Sequence, residues 1–433
     1  MDSNPDVVIV GGRPAGSTLA ARLGARGVRV LLVDKAAFPS LPAVPSSPTV
    51  HPGSMKMLDE LGIAESSYSH VDGRMDRFVM EFGDHFRAEM SLPRMHGRAY
   101  IHGVDRRRFD HALWRNVARF PSVTQRERCT LVDVLRAANG QVCGVVLQSH
   151  DGTREQVKAR CVVGADGRFS VLARKVDAPV VTEKPDHCST VYYADWEGVT
   201  PATSSGNAGH VYTTGRGTDV LFFLMPDGRT SINTHQRADR VDVAGDAQGY
   251  YVKALQSLPG VARRLKNARQ VSDVVGVKRI GNGYRQASGA GWALVGDALH
   301  YKDPVDGQGI YDALLGARLL DEALAEWLQG RAFADAMAGY RQRIHAETWP
   351  MFNATTDRLR RELYSEPPVV VIRTFIRWMM TDPLYQERFL RLLGRDIDVD
   401  GWMSPGLVLG AAARGLGRDL RGLVTGRRAT AGA

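Results

Sequence analysis

The chain opens on a four-residue apolar run, Val7–Val10, then the glycine-rich stretch Gly11–Gly16. From Ser17 to Arg26, Leu19, Ala20 and Leu23 recur at helical spacing. A short apolar run between turn signals predicts a buried parallel strand, and the 3.6-residue recurrence predicts a helix. Gly27 stands where a helix would end in a left-handed residue. Val28–Val33 reads as a second strand ending at Asp34, which completes a βαβ unit.

Further along, Pro39–Pro52 is rich in Pro, Ser and Thr and predicts a loop, and Gly53–Leu61 a helix. Residues 74–95 alternate, as a strand crossing into another layer would. Asp105–Phe120 reads as a helix with a basic first turn. Cys129–Leu135 and Gln141–Gln148 flank Asn139-Gly140, a strong hairpin signal. Residues 186–236 read as antiparallel sheet, with Asp219–Met225 and Arg229–His235 joined by the turn Pro226-Asp227-Gly228. Twice more an apolar strand runs into a glycine and an aspartate: at Cys161–Lys175 (CVVGADGRFSVLARK) and at Trp292–Ala313 (WALVGDALHYKDPVDGQGIYDA). From Ile310 onward the pattern is helical, and the Gly-, Ala- and Arg-rich stretch from Gly406 is expected to be loosely held. One domain interrupted by another accounts for this order.

Composition narrows the class. The 433 residues are 44% hydrophobic and 24% charged, enough apolar material for two domains and ordinary for a globular chain. The net charge of +9 is scattered and lacks the interleaved aromatics of a nucleic-acid module, so no nucleic acid is expected as a partner. A preference for anionic small ligands remains open beside a merely solvated basic surface. Cys129, Cys143, Cys161 and Cys188 form no CxxC pair, and no metal is expected. No apolar stretch approaches a membrane span, and the first strand leaves no room for a leader, so a reduced, cytoplasmic location is expected.

The first turn carries the sharpest chemistry. A dinucleotide site needs glycines where the backbone turns toward a pyrophosphate, a helix N-terminus aimed at it, and an acid about 20 residues on for a ribose. Gly11, Gly16 and Asp34 answer to this, with Pro14 and Ala15 opening the helix. Arg13 replaces the usual middle glycine and offers a guanidinium beside phosphates or adenine. The ordinary alternative is a plain strand–helix turn.

Together, the three strand–glycine segments resemble the GxGxxG, DG and GD signatures of the group A FAD-dependent monooxygenases, the p-hydroxybenzoate hydroxylase-like flavoproteins. The resemblance spans roughly residues 6–330. It implies an α/β fold: a Rossmann-like FAD-binding domain with a parallel sheet (1–73, 96–176 and 278–330), interrupted by an antiparallel-sheet substrate domain (74–95 and 177–277), with a helical C-terminal region (331–433). It further implies that Asp297 holds ribityl hydroxyls, that Arg106, in Arg106-x-x-Phe109-Asp110, lies near the FAD, and that Asp166 belongs to the DG segment. Gly307-Gln308-Gly309 opens a helix whose positive end suits the negative pyrimidine edge of a reduced flavin, Pro304 would stiffen the wall beside the ring, and Ile310 follows.

Function follows as a set of expectations. NADPH or NADH reduces FAD, molecular oxygen adds at the flavin C4a, and one oxygen atom of the hydroperoxide hydroxylates or epoxidises a small organic substrate. The composition hints at secondary metabolism. The alternatives are a geranylgeranyl-reductase-like enzyme, a flavin-dependent halogenase and a cyclase using FAD structurally. The halogenases' Trp-x-Trp-x-Ile-Pro stretch is missing, with Trp196 alone in its region. No catalytic acid or base is assigned. His51, His235 and His300 are candidates, each equally readable as a surface or loop histidine. Of Tyr192 and Tyr193, one should face the pocket. Val370, Phe375 and Met379 form a stripe suited to core or interface. Residues 331–433 are expected to close the pocket or to form a homodimer surface.

Overall fold

The computed structural model describes residues 4–42 and 46–424. Residues 43–45 of the predicted loop, and the tail beyond 424, lie outside them.

Four strands, Val7–Val10, Val30–Val33, Cys161–Gly164 and Val123–Arg126, run parallel with Trp292–Leu294 in one sheet, whose edge is Ser288–Gly289. Val7–Val10, Val30–Val33 and Cys161–Gly164 are buried at every position, as expected of apolar runs covered on both faces. Helix Pro14–Ala25 packs between Arg106–Val117 and Gly309–Leu328. The Asn139-Gly140 hairpin forms within a three-stranded antiparallel sheet, Cys129–Arg136, Val142–Ser149 and Arg154–Lys158.

A larger sheet holds Val180–Glu197 between Val275–Arg285 and Thr230–Arg237, continuing through Thr218–Leu224, Ala208–Thr213, Arg77–Phe82 and Phe86–Ser91. Alternation decides its faces. Val220 and Phe222 point into a core with Trp196 and Tyr251, while Leu221 and Phe223 point into another with Phe78, Met80, Phe389 and Leu393. One pairing is not antiparallel: Ala208–Thr213 runs parallel to Arg77–Phe82, because the early hairpin is added at the sheet's far edge.

Two expectations are corrected. Thr49 and Val50, inside the predicted loop, pair with Gly103 and His102 in a small sheet. The stretch from Gly406 is mostly an ordered helix, Pro405–Val424, anchored by buried Ala411 and Gly415, the latter against Trp378. The stripe of Val370, Phe375 and Met379 is split: Met379 is core, but the other two are exposed. Among the described residues no helix is long and apolar enough to cross a membrane.

Candidate active site

The carboxyl ends of the parallel strands open on a cavity of about 370 Å³, a size that suits a small-molecule or cofactor site. Twelve of the thirteen residues expected at the cofactor line it. Gly11, Arg13, Pro14, Ala15 and Asp34 come from the first βαβ unit, and Arg106 and Asp166 from the middle of the chain. Asp297, Pro304, Gly307, Gly309 and Ile310 come from the last glycine segment. The thirteenth, Gly16, sits behind the wall. A Cβ there would stand 1.7 Å from the Gly11 carbonyl oxygen, so this glycine lets the helix approach the strand. Gly11 has φ +106°, and its Cβ would meet the Ala165 carbonyl oxygen at 2.3 Å. These two contacts are why the turn demands glycine at both ends.

Asp34 accepts from the Gly12 amide at 2.7 Å and from the Ala36 amide at 2.8 Å, which fixes its carboxylate at the cavity edge. Helix Pro14–Ala25 and helix Gly309–Leu328 both start at this cavity, and neither N-cap side chain accepts from the helix. Their amide ends therefore face the space with positive potential. Arg13 is spent on protein groups: it pairs with Asp110 at 2.5 Å and donates to the Ser40 carbonyl, the Ser40 hydroxyl and the Leu41 carbonyl. Asp110 also receives Arg106 through both oxygens at 3.0 Å, so one buried carboxylate orients two cavity arginines. Asp166 accepts from Ser170 Oγ at 2.5 Å and from the amide of Val171 at 2.6 Å, capping a short helix. Burial raises its pKa against those hydrogen bonds.

The opposite end is a thin partition. Pro304–Asp306 forms one 3₁₀ turn, Gly307 follows at φ +64°, and Gly309 starts the long helix. Beyond it, with Ser47 and Gly307 shared, lies a pocket of about 30 Å³ lined by Phe78, Met80, Val211, Leu221, Phe223, Phe389 and Leu393 together with the polar Thr49, His51, Asp306 and Arg358. Ser46, Ser47 and Pro304 are shared in the same way with a smaller space reaching Asn233 and His235. The partition is braced by charges that sequence reasoning missed. Lys302 Nζ lies 2.6 Å from Asp312 Oδ2, and Arg395 donates to Asp312 Oδ1 at 2.8 Å and to Gln308 Oε1 at 2.7 Å. Burial opposes ionisation of Asp312, yet Lys302 and Arg395 hold its pKa far below the usual carboxylate range. Lys302 was visible in the third glycine segment, whereas Arg395, from the far C-terminal region, carried no local signal. Arg168, just after the DG aspartate, donates to the carbonyls of Gly281 and Lys302 at 2.7 Å each, tying the two sheets together.

All three candidate histidines are buried here, not at the surface. His51 touches the pocket beside Gly307; burial, then the charge of Arg395, lowers its pKa to about 4, so it is neutral at pH 7. His300 stacks on Tyr284, 3.4 Å from Asp312. His235 sits 3.6 Å from Asp303, across the strand pair from Asp219. Burial, with Glu362 nearby, pushes Asp219 well above the carboxylate range. Of the two tyrosines, Tyr192 belongs to the core with Trp196 and Tyr251, and Tyr193, next along the strand, faces the other side of the sheet. Trp196 itself donates to the Tyr251 hydroxyl at 3.0 Å, away from the cavity.

Residues 4–355 match the model of a protein family described as "FAD binding domain". The chain belongs to that family. This flavoprotein is an oxidoreductase, and its resemblance to the group A enzymes stands. It is 25% identical over 356 residues to a digeranylgeranylglycerophospholipid reductase of Methanosphaerula palustris, covering 79% of this chain and 82% of that one. It is 27% identical over 358 residues to a 6-methylpretetramide 4-monooxygenase of Streptomyces rimosus, covering 78% of this chain but only 58% of that longer protein. A solved flavin-dependent brominase superposes with a TM-score of 0.76 at 19% identity, over 96% of this chain and 99% of its own. That last likeness speaks to the fold alone.

Proposed function

We propose that this flavoprotein is an NAD(P)H-dependent monooxygenase that inserts one atom of molecular oxygen into an apolar organic substrate. The observation that carries the reading is the partition. The same backbone, Ser46–Ser47 and Pro304–Gly307, borders the larger cavity on one side and small spaces walled by Phe78, Leu221 and Phe223 on the other. A flat ring seated against Pro304 would meet its substrate across that edge.

In this reading residues 1–73, 96–176 and 278–330 carry the cofactor, and 74–95 and 177–277 face the substrate. The cavity fits FAD: it is lined from Asp34 to Ile310, two uncapped helix ends face it, and glycines bring its backbone close. Asp34 would take the adenine ribose, Gly11 and the first helix the pyrophosphate, Asp297 the ribityl chain, and Gly307 and Gly309 the pyrimidine edge. Bound there, FAD supplies hydride acceptance and oxygen activation. The chain's own side chains do the rest. Phe78, Leu221, Phe223 and Phe389 exclude water from the reacting space. Neutral His51 can accept or donate one hydrogen bond at that edge.

Halogen transfer is a second reading, favoured by sequence relatives named as a brominase and a chlorinase of 1H-pyrrole-2-carbonyl-[peptidyl-carrier protein], each 23% identical over 92% of this chain. Trp196 speaks against it, being locked in the opposite core. The test is to reduce the flavin anaerobically with NADPH or NADH, then admit oxygen with candidate substrates in halide-free buffer. Monooxygenation predicts flavin bleaching and a product heavier by one oxygen atom. A product that forms only with bromide or chloride would assign a halogenase. Saturation of a carbon–carbon double bond without oxygen uptake would assign a reductase.

A further inference from the structure

Ten large hydrophobic side chains between Val369 and Val424 are exposed, against six in all the described residues before them. Helix Pro405–Val424 concentrates the pattern. At 100° per residue, Leu409, Ala413, Leu416, Leu420, Leu423 and Val424 fall within an arc of about 100°. This arc faces outward: Leu409 is 70% and Leu423 77% exposed. The opposite face is what holds the helix, with Ala411 buried and Gly415 against Trp378.

Charge borders the stripe on one flank. Arg421 and Arg414 stand about 60° and about 80° beyond the edge of the apolar arc, while Arg418 lies opposite its centre, beside the buried face. Arg414 is steadied by Asp382 at 2.7 Å with its side chain still 44% exposed, and Arg418 donates to Thr381 Oγ1 at 3.1 Å. Counting to the end of the sequence, this segment has five arginines and one aspartate, Asp419, which is paired with Arg377. An outward leucine stripe with flanking arginines is the profile of a helix lying in the interface of a bilayer. A second copy would bring the same positive charge against it, whereas an anionic lipid surface brings the opposite one.

We propose that helix Pro405–Val424 seats this enzyme on an anionic membrane surface, with its leucine stripe in the headgroup region and the flanking Arg414 and Arg421 on lipid phosphates. The seat does not depend on which oxidation the flavin site performs.

The test uses the full chain with its flavin and sedimenting vesicles of phosphatidylglycerol mixed with phosphatidylcholine. The expected result is co-sedimentation that weakens as salt rises. Replacing the outward leucines together (Leu409→Ser, Leu416→Ser, Leu420→Ser, Leu423→Ser) should lower the partition coefficient by about tenfold or more. Flavin absorbance should not change, since none of these residues reaches the cavity. Protein left in the supernatant would overturn the proposal, as would equal pelleting by the leucine variant or equal binding to pure phosphatidylcholine. Light scattering that finds a wild-type dimer dissolved by the leucine variant, without vesicle binding, would overturn it in favour of self-association.

Discussion

The two sides of the Pro304–Gly307 partition are built on opposite principles. The side toward the larger cavity is made of backbone: glycines where no Cβ fits, helix ends, and carboxylates such as Asp34 that grip main-chain amides. The far side is made of side chains, projected from the large sheet and closed by Phe389 and Leu393 of a C-terminal helix. A backbone-built site tolerates few residue types and so writes itself into the sequence. A side-chain-built pocket can be filled by many apolar combinations, and its shape alone carries specificity.

Substitutions on the two sides should therefore differ in kind. The largest effect is expected at Gly16→Val, where even a Cβ would overlap the Gly11 carbonyl. A loss of about 3 kcal/mol, the upper end for overpacking, should appear in urea unfolding, together with colourless protein. Asp297→Ala should purify with flavin affinity down by about tenfold or more, as losing charge-assisted hydrogen bonds of roughly 1.5–3 kcal/mol would give. Full flavin content in that variant would break the assignment of the ribityl contact.

Asp219→Asn addresses the buried acid behind the pocket. Its folded pKa is pushed up to about 8, far above that of a free carboxylate, because burial and Glu362 disfavour the charge. The folded state then holds a proton that the unfolded state has lost, so stability falls as pH rises above about 4. The asparagine variant should flatten that slope in a series of melting curves while matching the wild type in acid. An unchanged slope would mean that Asp219 is ionised in the fold.

Leu221→Val sharpens the contrast from the apolar side. It should cost about 1 kcal/mol, as small core truncations do, leave flavin content intact and move KM for the organic substrate. The smallest effect is expected at Arg13→Gly. Arg13 clamps Ser40, Leu41 and Asp110, so the variant should keep its flavin and show only faster proteolysis near residue 40. Loss of flavin would mean that this guanidinium also serves the phosphates.

The same contrast explains what the sequence revealed. Val7–Val10, the Asn139-Gly140 hairpin and the strand ends at Gly164 and Leu294 are local signals, and each formed where its pattern said. Lining residues such as Asp34 and Gly309 were legible because their chemistry is tied to a short motif. Arg395, Phe389 and Asp219 were not, since they reach the partition only through tertiary packing from distant segments. The helix at Pro405–Val424 was misjudged because its glycines and alanines read as slack, when Gly415 is what lets it lie close on Trp378.

Gln308 stands where these segments meet. Its amide nitrogen donates to the carbonyls of Asp306 and Leu393, each at 3.1 Å, and its oxygen receives Arg395. The C-terminal roof is thus latched, through Gln308 and through the Arg395–Asp312 pair, to the first turn of the helix that starts at the larger cavity. Lifting that roof to enlarge the pocket beneath it has to break these bonds.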